Sequence, residues 1–374
     1  MTQYTARVLI LGSDSAQTQT LAKFFRQKGF HSSCDDYAVA FDTITDDHNP
    51  DLVLMLTSSD WHGASDLFEM LKDEQKTSRI PIVVQAENPE ASFRRRCFAF
   101  HIDDLVTGKP SNELLFARTW PLVRLSTMYE ELRLRALTAK EFGLDVNDRP
   151  DLSREARNYR VMIAGVEGEE LGVFKNALAS GYEVTRITDP MVAHKKLGAG
   201  KYDAFVMAVN DDGKMALKLC ANIRNNPRLF NLPVLLITDP ATFPNQMVAY
   251  NSGASNILTR PLSHDDLQIG ILTLVMRQKA RWDLRESLLE TMQKATLDAR
   301  SGLYSNQFFD AHMIRRTSES VRWNKFLSLG RFRIENLEGI AEQYSQDEAD
   351  NVFKKFSDGV VAMLRGEDLP GLHG

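Results

Sequence analysis

The sequence is poor in cysteine, has no long apolar run and carries no excess of basic charge, and each shortage removes a class of protein. Its three cysteines, Cys34, Cys97 and Cys220, are scattered without the close spacing of a metal-ligand set. An odd, dispersed trio also argues against a disulfide framework and suits a reducing cytoplasm, the compartment expected here. No stretch reaches the ~18 uninterrupted apolar residues of a membrane span. The opening MTQYTARVLILG lacks the apolar core of a signal peptide. With 45 Lys and Arg against 50 Asp and Glu, the formal net charge is −5. The basic footprint of a nucleic-acid binder is therefore missing. The one dense basic run, Arg94-Arg95-Arg96, reads as a solvated helix face. What remains is a chain of 374 residues, 43% hydrophobic and 25% charged, enough for two or three ordinary globular domains.

One pattern is used twice. Arg7-Val8-Leu9-Ile10-Leu11-Gly12 is a short apolar run closing on a turn, as a buried parallel strand does. Helical spacing follows from Ser15 to Lys28 through Leu21, Phe24 and Phe25. Then come a strand over Asp51 to Leu56, a helix from about Ser65 to Glu74, and a strand over Ile80 to Val84. A run from Asp103 to Thr107 ends on Gly108-Lys109-Pro110. Arg160 to Gly165, Tyr202 to Ala208, Leu232 to Thr238 and Asn256 to Pro261 answer these runs in order. The offset of about 150 residues is that of a duplicated domain and not of a short solenoid repeat. Strands alternating with helices imply crossover connections and a parallel sheet covered on both faces. Met128 to Lys140 extends the last helix of the first copy, and polar Glu141 to Arg157, with Gly143 and Pro150, reads as a linker.

This layout resembles the receiver domains of bacterial two-component response regulators, over roughly residues 6–135 and 159–280. The resemblance implies two flavodoxin-like (CheY-like), doubly wound α/β domains in tandem. A working receiver has a phosphate-accepting aspartate ending its third strand and an acidic pair after the first strand that holds Mg²⁺. A hydroxyl residue and a lysine respond to the phosphoryl group. Here the acceptor positions are Leu56 and Ala208, and the acid-pair positions are Gly12-Ser13 and Gly165-Val166. Lys109 remains of this set in the first copy, Thr238 and the conservative Arg260 in the second. Neither an isobutyl nor a methyl group forms an acyl phosphate, and Mg²⁺, which takes oxygen ligands, is not expected. Asp14, Asp60, Asp211 and Asp212 are nearby acids that read as solvated turn residues. Lys109 reads as a structural remnant bonding backbone carbonyls at the sheet edge.

Ser263 to Asp298 has the length and spacing of one long helix, with Ser263 as N-cap and Asp265 and Asp266 in its first turn. Leu267, Ile271 and Leu274 make an apolar face, and Leu284, Leu288, Met292 and Ala295 resume it. This predicts a helix that leaves the second domain as a stalk over 281–298. Beyond it, Asp298-Ala299-Arg300-Ser301-Gly302-Leu303 is similar to the opening of GGDEF domains, the fold of diguanylate cyclases. Asp298, Gly302 and Leu303 match; Arg300 and Ser301 depart. Helices are predicted through Phe308 to Ile314, Leu337 to Tyr344 and Asp347 to Arg365, with a strand from Phe326 to Ile334. Two receivers ahead of such a segment resemble PleD-type response regulators. The organisation expected is a degenerate receiver at 6–140, a linker at 141–158, a second degenerate receiver at 159–280, the stalk at 281–298 and a partial, degenerate α+β GGDEF-like domain at 299–374.

The same resemblance puts a metal-ligand position at Arg333, with Glu335 as the second acid, and guanine-contact positions at Ala341 and Asp350. A cation where a metal ligand belongs argues against a cyclase. It also implies an inhibitory product site, R-x-x-D, at Arg365-Gly366-Glu367-Asp368. A guanidinium forks onto phosphate, and a carboxylate accepts from guanine N–H groups. The spacing recurs at Arg186-Ile187-Thr188-Asp189, and Arg365 also suits a helix C-terminus. The expected protein is a non-catalytic signalling protein that uses Arg365 and Asp368 to bind cyclic di-GMP as an effector or adaptor. It would dimerise through its receivers and engage a signalling protein, with no cofactor, nucleic acid or membrane. Two other readings stand beside it: a ligand-independent dimeric scaffold and an active diguanylate cyclase.

Overall fold

The computed structural model describes all residues except 1–2, 38–39, 41–43, 45–49, 58–66, 69, 72–76, 78, 101, 149–157, 227 and 374. The helix expected over Ser65 to Glu74, Asp60 and most of the polar linker thus fall largely outside the described residues. Apolar runs ended by glycine or proline build two parallel sheets. The first contains β1 (Arg7–Leu11), β2 (His31–Asp35), β3 (Leu52–Thr57), β4 (Ile82–Ala86) and β5 (Asp104–Thr107), in the order β2-β1-β3-β4-β5. The second contains β6 (Tyr159–Ala164), β7 (Tyr182–Ile187), β8 (Ala204–Ala208), β9 (Val234–Thr238) and β10 (Asn256–Thr259), in the order β10-β9-β8-β6-β7. Read from the other edge, that is the same 2-1-3-4-5 order, the flavodoxin-like winding.

β1, β3, β4, β8 and β9 are buried almost throughout because helices cover both faces. Edge strands β2 and β7, HSSCD and YEVTRI, carry too few apolar residues to stand out as runs, and the sequence reading passed over both. The covering helices in the first unit are α1 (Ser15–Gln27), α2 (Ala91–Ala99) and α3 (Asn112–Glu141). In the second they are α4 (Glu170–Ala177), α5 (Pro190–Ala199), α6 (Lys214–Asn225), α7 (Met247–Ser252) and α8 (His264–Glu290). Among the described residues no helix is long and apolar enough to cross a membrane.

The two longest helices, α3 and α8, begin on matching serine caps, Ser111 and Ser263. They outrun their own sheets and meet. Leu125, Met128, Tyr129 and Leu132 of α3 share one buried cluster with Leu284 and Leu288 of α8. The helix ends at Glu290 and its second half is packed, so the free stalk expected over 281–298 is not there. Apolar residues at helical spacing found a partner helix inside the chain, and burying each is worth about 1.5–3 kcal/mol.

Nearer the sheets, the units meet through ions. Arg118 of α3 forks onto Asp104 of β5 at 2.5 and 2.7 Å and also donates to Tyr250 Oη at 3.3 Å and to Asn256 Oδ1 of the second unit. Arg277 of α8 stands 3.7 Å from the same carboxylate. Arg94 pairs with Asp266, and Arg95 lies 3.9 Å from Asp265. The basic run read as a solvated face therefore belongs partly to this seam: a charged side chain beside an opposite charge need not face water.

After α8, residues 298–303 form a tight turn leading to α9 (Asn306–Trp323), α10 (Leu337–Gln343) and α11 (Gln346–Met363). The strand expected from Phe326 to Ile334 is absent. Residues 326–333 are exposed, and beyond the bond from Phe326 N to Tyr4 O their backbone forms no ladder. With no neighbouring strand, β-favouring residues have nothing to pair with. Among its described residues this segment is helical apart from isolated bridges, and not α+β.

Candidate functional site

In sheets of this order, ligands bind in the crevice beyond the carboxyl ends of the strands. Among the described residues, Gly12, Thr18, Tyr37 and Leu56 gather at the first crevice. Gly12 follows β1, and a Cβ there would lie 3.1 Å from the Leu56 carbonyl oxygen and 3.0 Å from Thr18 Cγ2. Leu56 is only 5% exposed. Tyr37 donates its hydroxyl to the Leu56 carbonyl at 2.6 Å, and burial pushes that phenol up to about 12. Lys109 points away: its Nζ is 3.0 Å from Glu87 and its side chain is 80% exposed. It does not bond backbone carbonyls as expected. Gly108, at φ 81°, turns the chain outward, and Gln85 Nε2 takes the Gly108 carbonyl at 2.8 Å.

The second crevice is closed by one guanidinium. Arg260 forks onto Glu170 of α4, donates to Val209 O at 2.9 Å and donates to Asn210 Oδ1 at 2.8 Å. Asp239 lies 3.9 Å away. Asn210 in turn donates to Gly165 O at 2.9 Å. Four strand-end loops are thus joined through Arg260, whose pKa is raised mainly by its hydrogen bond to Glu170. Thr238 is buried at the end of β9, and its carbonyl accepts from Arg260 N at 2.9 Å. Gly165, at φ 69°, passes so close that a Cβ would be 2.7 Å from Ala208 O. Asp14 caps α1, while Asp211 and Asp212 accept from Gly213 N and Lys214 N. These acids bond the backbone of their own turns. Among the described residues no three ligating side chains come together to hold a metal, and the strand-end residues present do not fit the oxygen set Mg²⁺ takes.

The third segment is gathered on α3. Asp298 accepts from Ser301 N and Ser301 Oγ, both at 2.7 Å, and Gly302 completes the turn at φ 72°. Tyr304 and Phe308 stack at 4.5 Å within a cluster with Ala139, Phe142, Leu144 and Val146. Buried Glu131 of α3 bonds Arg135 at 2.6 Å and lies 3.2 Å from His312 Nε2 and 3.4 Å from Arg316 of α9. Burial alone would raise its carboxyl, but Arg135, His312 and Arg316 outweigh that and hold it at about 2.

The R-x-x-D turn closes the same seam. Asp368 accepts from Arg365 N at 2.8 Å, and Glu367 pairs with Arg124 of α3 at 2.8 Å. Arg135 donates to the carbonyls of Glu367 and Asp368 at 3.1 and 2.8 Å. The Asp368 carboxylate is therefore engaged by its own turn, whereas Arg365 is exposed. Asp350 is remote from that turn in role: it pairs with Arg300 at 2.6 Å and accepts from Gln346 at 2.8 Å. The structure does not link it to Arg365 or Asp368. Tyr37, Glu170, Glu131 and Glu367 were missed in the sequence, because nothing local marks a side chain whose partner lies in another element.

No family model matches the chain. It is similar to the response regulator PleD of Caulobacter vibrioides (strain NA1000 / CB15N), 24% identical over 329 residues that cover 87% of this chain and 71% of the relative. Response regulator protein PmrA of Pseudomonas aeruginosa is 27% identical over 110 residues, 29% of this chain and 49% of that protein. Among solved structures, chemotaxis response regulator CheY4 of Vibrio cholerae covers 31% of this chain and 98% of its own, at 18% identity and a TM-score of 0.29. A two-component response regulator/GGDEF domain protein covers 74% of this chain and all of its own, at 13% identity and a TM-score of 0.29. Two parallel, doubly wound sheets give the chain the flavodoxin-like fold, and its sequence is similar to those of response regulators. The similarity to PleD runs along most of its length.

Proposed function

We propose that this response regulator is a non-catalytic docking scaffold, in which neither receiver unit is phosphorylated and the third segment makes no cyclic dinucleotide. The observation that carries the reading is the seam on α3, where Glu131, Arg124 and Arg135 hold α9 and the 365–368 turn through contacts within the chain. Supporting it, Leu56 and Ala208 stand where a phosphoryl acceptor would, and Arg260 is committed to Glu170. Signal then passes as a change in which surfaces are covered. On this reading no carboxylate at the acceptor positions attacks phosphorus, and among the described residues no group of three ligating side chains gathers a metal.

A second reading, a cyclic di-GMP effector, is favoured by exposed Arg365 beside Asp368, whose guanidinium is open to a phosphate. Titration calorimetry with cyclic di-GMP, comparing the unmodified chain with Arg365→Ala and Asp368→Ala, separates the two. The scaffold gives the same negligible heat in all three proteins. Micromolar binding abolished by either substitution replaces it with the effector. An acyl phosphate formed from a small phosphodonor, or cyclic dinucleotide formed from GTP and Mg²⁺, overturns both.

A further inference from the structure

The strand-end crevices face one way, and a cavity of about 510 Å³ opens at the other end of the first sheet. Thr5, Asp51 and Ile80, each just ahead of β1, β3 or β4, form its roof. Tyr129, Glu130 and Arg133 of α3 form one wall, and Arg316, Glu319 and Trp323 of α9 form the other. The volume is that of an ordinary small-molecule site. Contacts within the chain fix the walls. Arg133 bonds Glu130 at 2.7 Å and Glu319 at 3.3 Å, and Lys325 bonds Asp51 at 2.5 Å. The Arg7 guanidinium lies 4.2 Å over the Trp323 ring.

Two donors on these walls are left unused. Tyr129 is 6% exposed, and its hydroxyl has no hydrogen-bond partner. Burial raises that phenol, so it keeps its proton and stays a donor. Arg316 approaches Glu131 through Nε at 3.4 Å, and its guanidinium makes no hydrogen bond among the described residues. Glu131 is already held by Arg135 and His312. A buried donor without an acceptor is destabilising, and folded proteins seldom keep one that serves nothing. We propose that this cavity binds a phosphorylated sugar or polyol, its phosphate on Arg316 and one of its hydroxyls on Tyr129.

Charge decides the class. Among the described residues, five basic and four acidic side chains line the cavity, a basic excess in a chain whose net charge is −5. A guanidinium forks onto a phosphate. A single phosphate suits so small an excess, whereas a triphosphate would be repelled by Asp51, Glu130 and Glu319. Those carboxylates keep lone pairs beyond their ion pairs, and hydroxyl groups donate to such lone pairs. Six hydroxyl side chains, Tyr129, Ser126 and Thr127 among them, complete a lining that matches a polyhydroxylated body. No residue of the 365–368 turn lines this cavity.

Titration calorimetry on the full chain tests the proposal with ribose 5-phosphate and glucose 6-phosphate, against inorganic phosphate, glucose and ATP. At least one sugar phosphate should bind about tenfold more tightly than any of those three controls. Tyr129→Phe should weaken that binding about fivefold, and Arg316→Gln about tenfold or more. Tyr129→Phe removes a hydroxyl that bonds nothing, so the unliganded variant should melt no lower than the unmodified chain. Lost binding is then not lost folding. Arg365→Ala should bind as the unmodified chain does. Silence from both sugar phosphates at millimolar concentration overturns the proposal. So does binding indifferent to both wall substitutions, equal affinity for inorganic phosphate or ATP, or loss of binding in Arg365→Ala. These titrations probe neither phosphoryl transfer nor cyclic di-GMP, so the scaffold reading stands or falls separately.

Discussion

The two receiver units share one winding and seal their crevices by opposite chemistry. In the first, an aliphatic side chain stands at the third strand end and a buried phenol caps its carbonyl, through Leu56 and Tyr37. In the second, a guanidinium and a carboxylate tie the loops together, through Arg260 and Glu170. The backbone arrangement fixes only that several loops converge there; what fills the space is free to vary. A neutral seal is indifferent to salt, whereas a partly exposed ion pair is screened by it. The units differ too in what they carry: the first holds the third segment on α3, and the second contributes its seam to the first.

The largest effect should come from breaking the seam that joins them. Arg118→Ala leaves Asp104 buried without its fork, and removing one partner of such a pair costs about 3–5 kcal/mol. Burial raises the Asp104 carboxyl, but Arg118 and Arg277 outweigh it and the net direction is down. Urea unfolding would register the loss; a change within surface-pair range, under ~1 kcal/mol, would mean the seam rests on its apolar contacts.

Next in size is acid release of the third segment. Glu131 is depressed from 4.5 to about 2, which corresponds to about 3 kcal/mol. A depressed carboxyl stabilises fully above its unfolded value, so the contribution is present above pH 4.5 and is lost as pH falls toward 2. Hydrogen exchange should show α9 loosening over that window before the sheets do, and Glu131→Gln should abolish the window. Simultaneous loosening of sheets and α9 in the unmodified chain would contradict it.

Smaller, and aimed at the crevices, is a pair of glycine substitutions. Gly165→Ala meets both a left-handed backbone and the Ala208 carbonyl, so about 2–3 kcal/mol is expected. Gly12→Ala meets only the looser contacts near 3 Å and should cost about 1 kcal/mol. Equal melting shifts would erase the distinction between the two strand ends. Smallest are the seals themselves. Tyr37→Phe and Glu170→Gln should each cost about 1 kcal/mol. Only the second should shrink as salt is raised from low to molar concentration. Identical salt dependence would end the contrast drawn between the units.

Most of the fold was legible in the sequence because buried parallel strands are local signals. The apolar runs from Arg7, Asp51, Ile80, Arg160, Tyr202 and Leu232 need no partner to be recognised, and their repetition gives two sheets. The acceptor and acid-pair positions could also be read directly, since a missing carboxylate is a fact of the chain. Arg365, Asp368, Asp350, Lys109, Thr238 and Arg260 could be located, but not what each one touches.

Tertiary structure alone decided those contacts. Whether Arg260 faces a vacant crevice or Glu170, whether α8 runs on as a stalk or lies along α3, and whether Arg94 meets water or Asp266 depend on elements far apart in sequence. So does the unpaired state of residues 326–333, since β propensity becomes a strand only when a second strand is within hydrogen-bonding distance. Periodicity and residue type act over a few neighbours, while ion pairs, seams and ladders are set by the path of the whole chain.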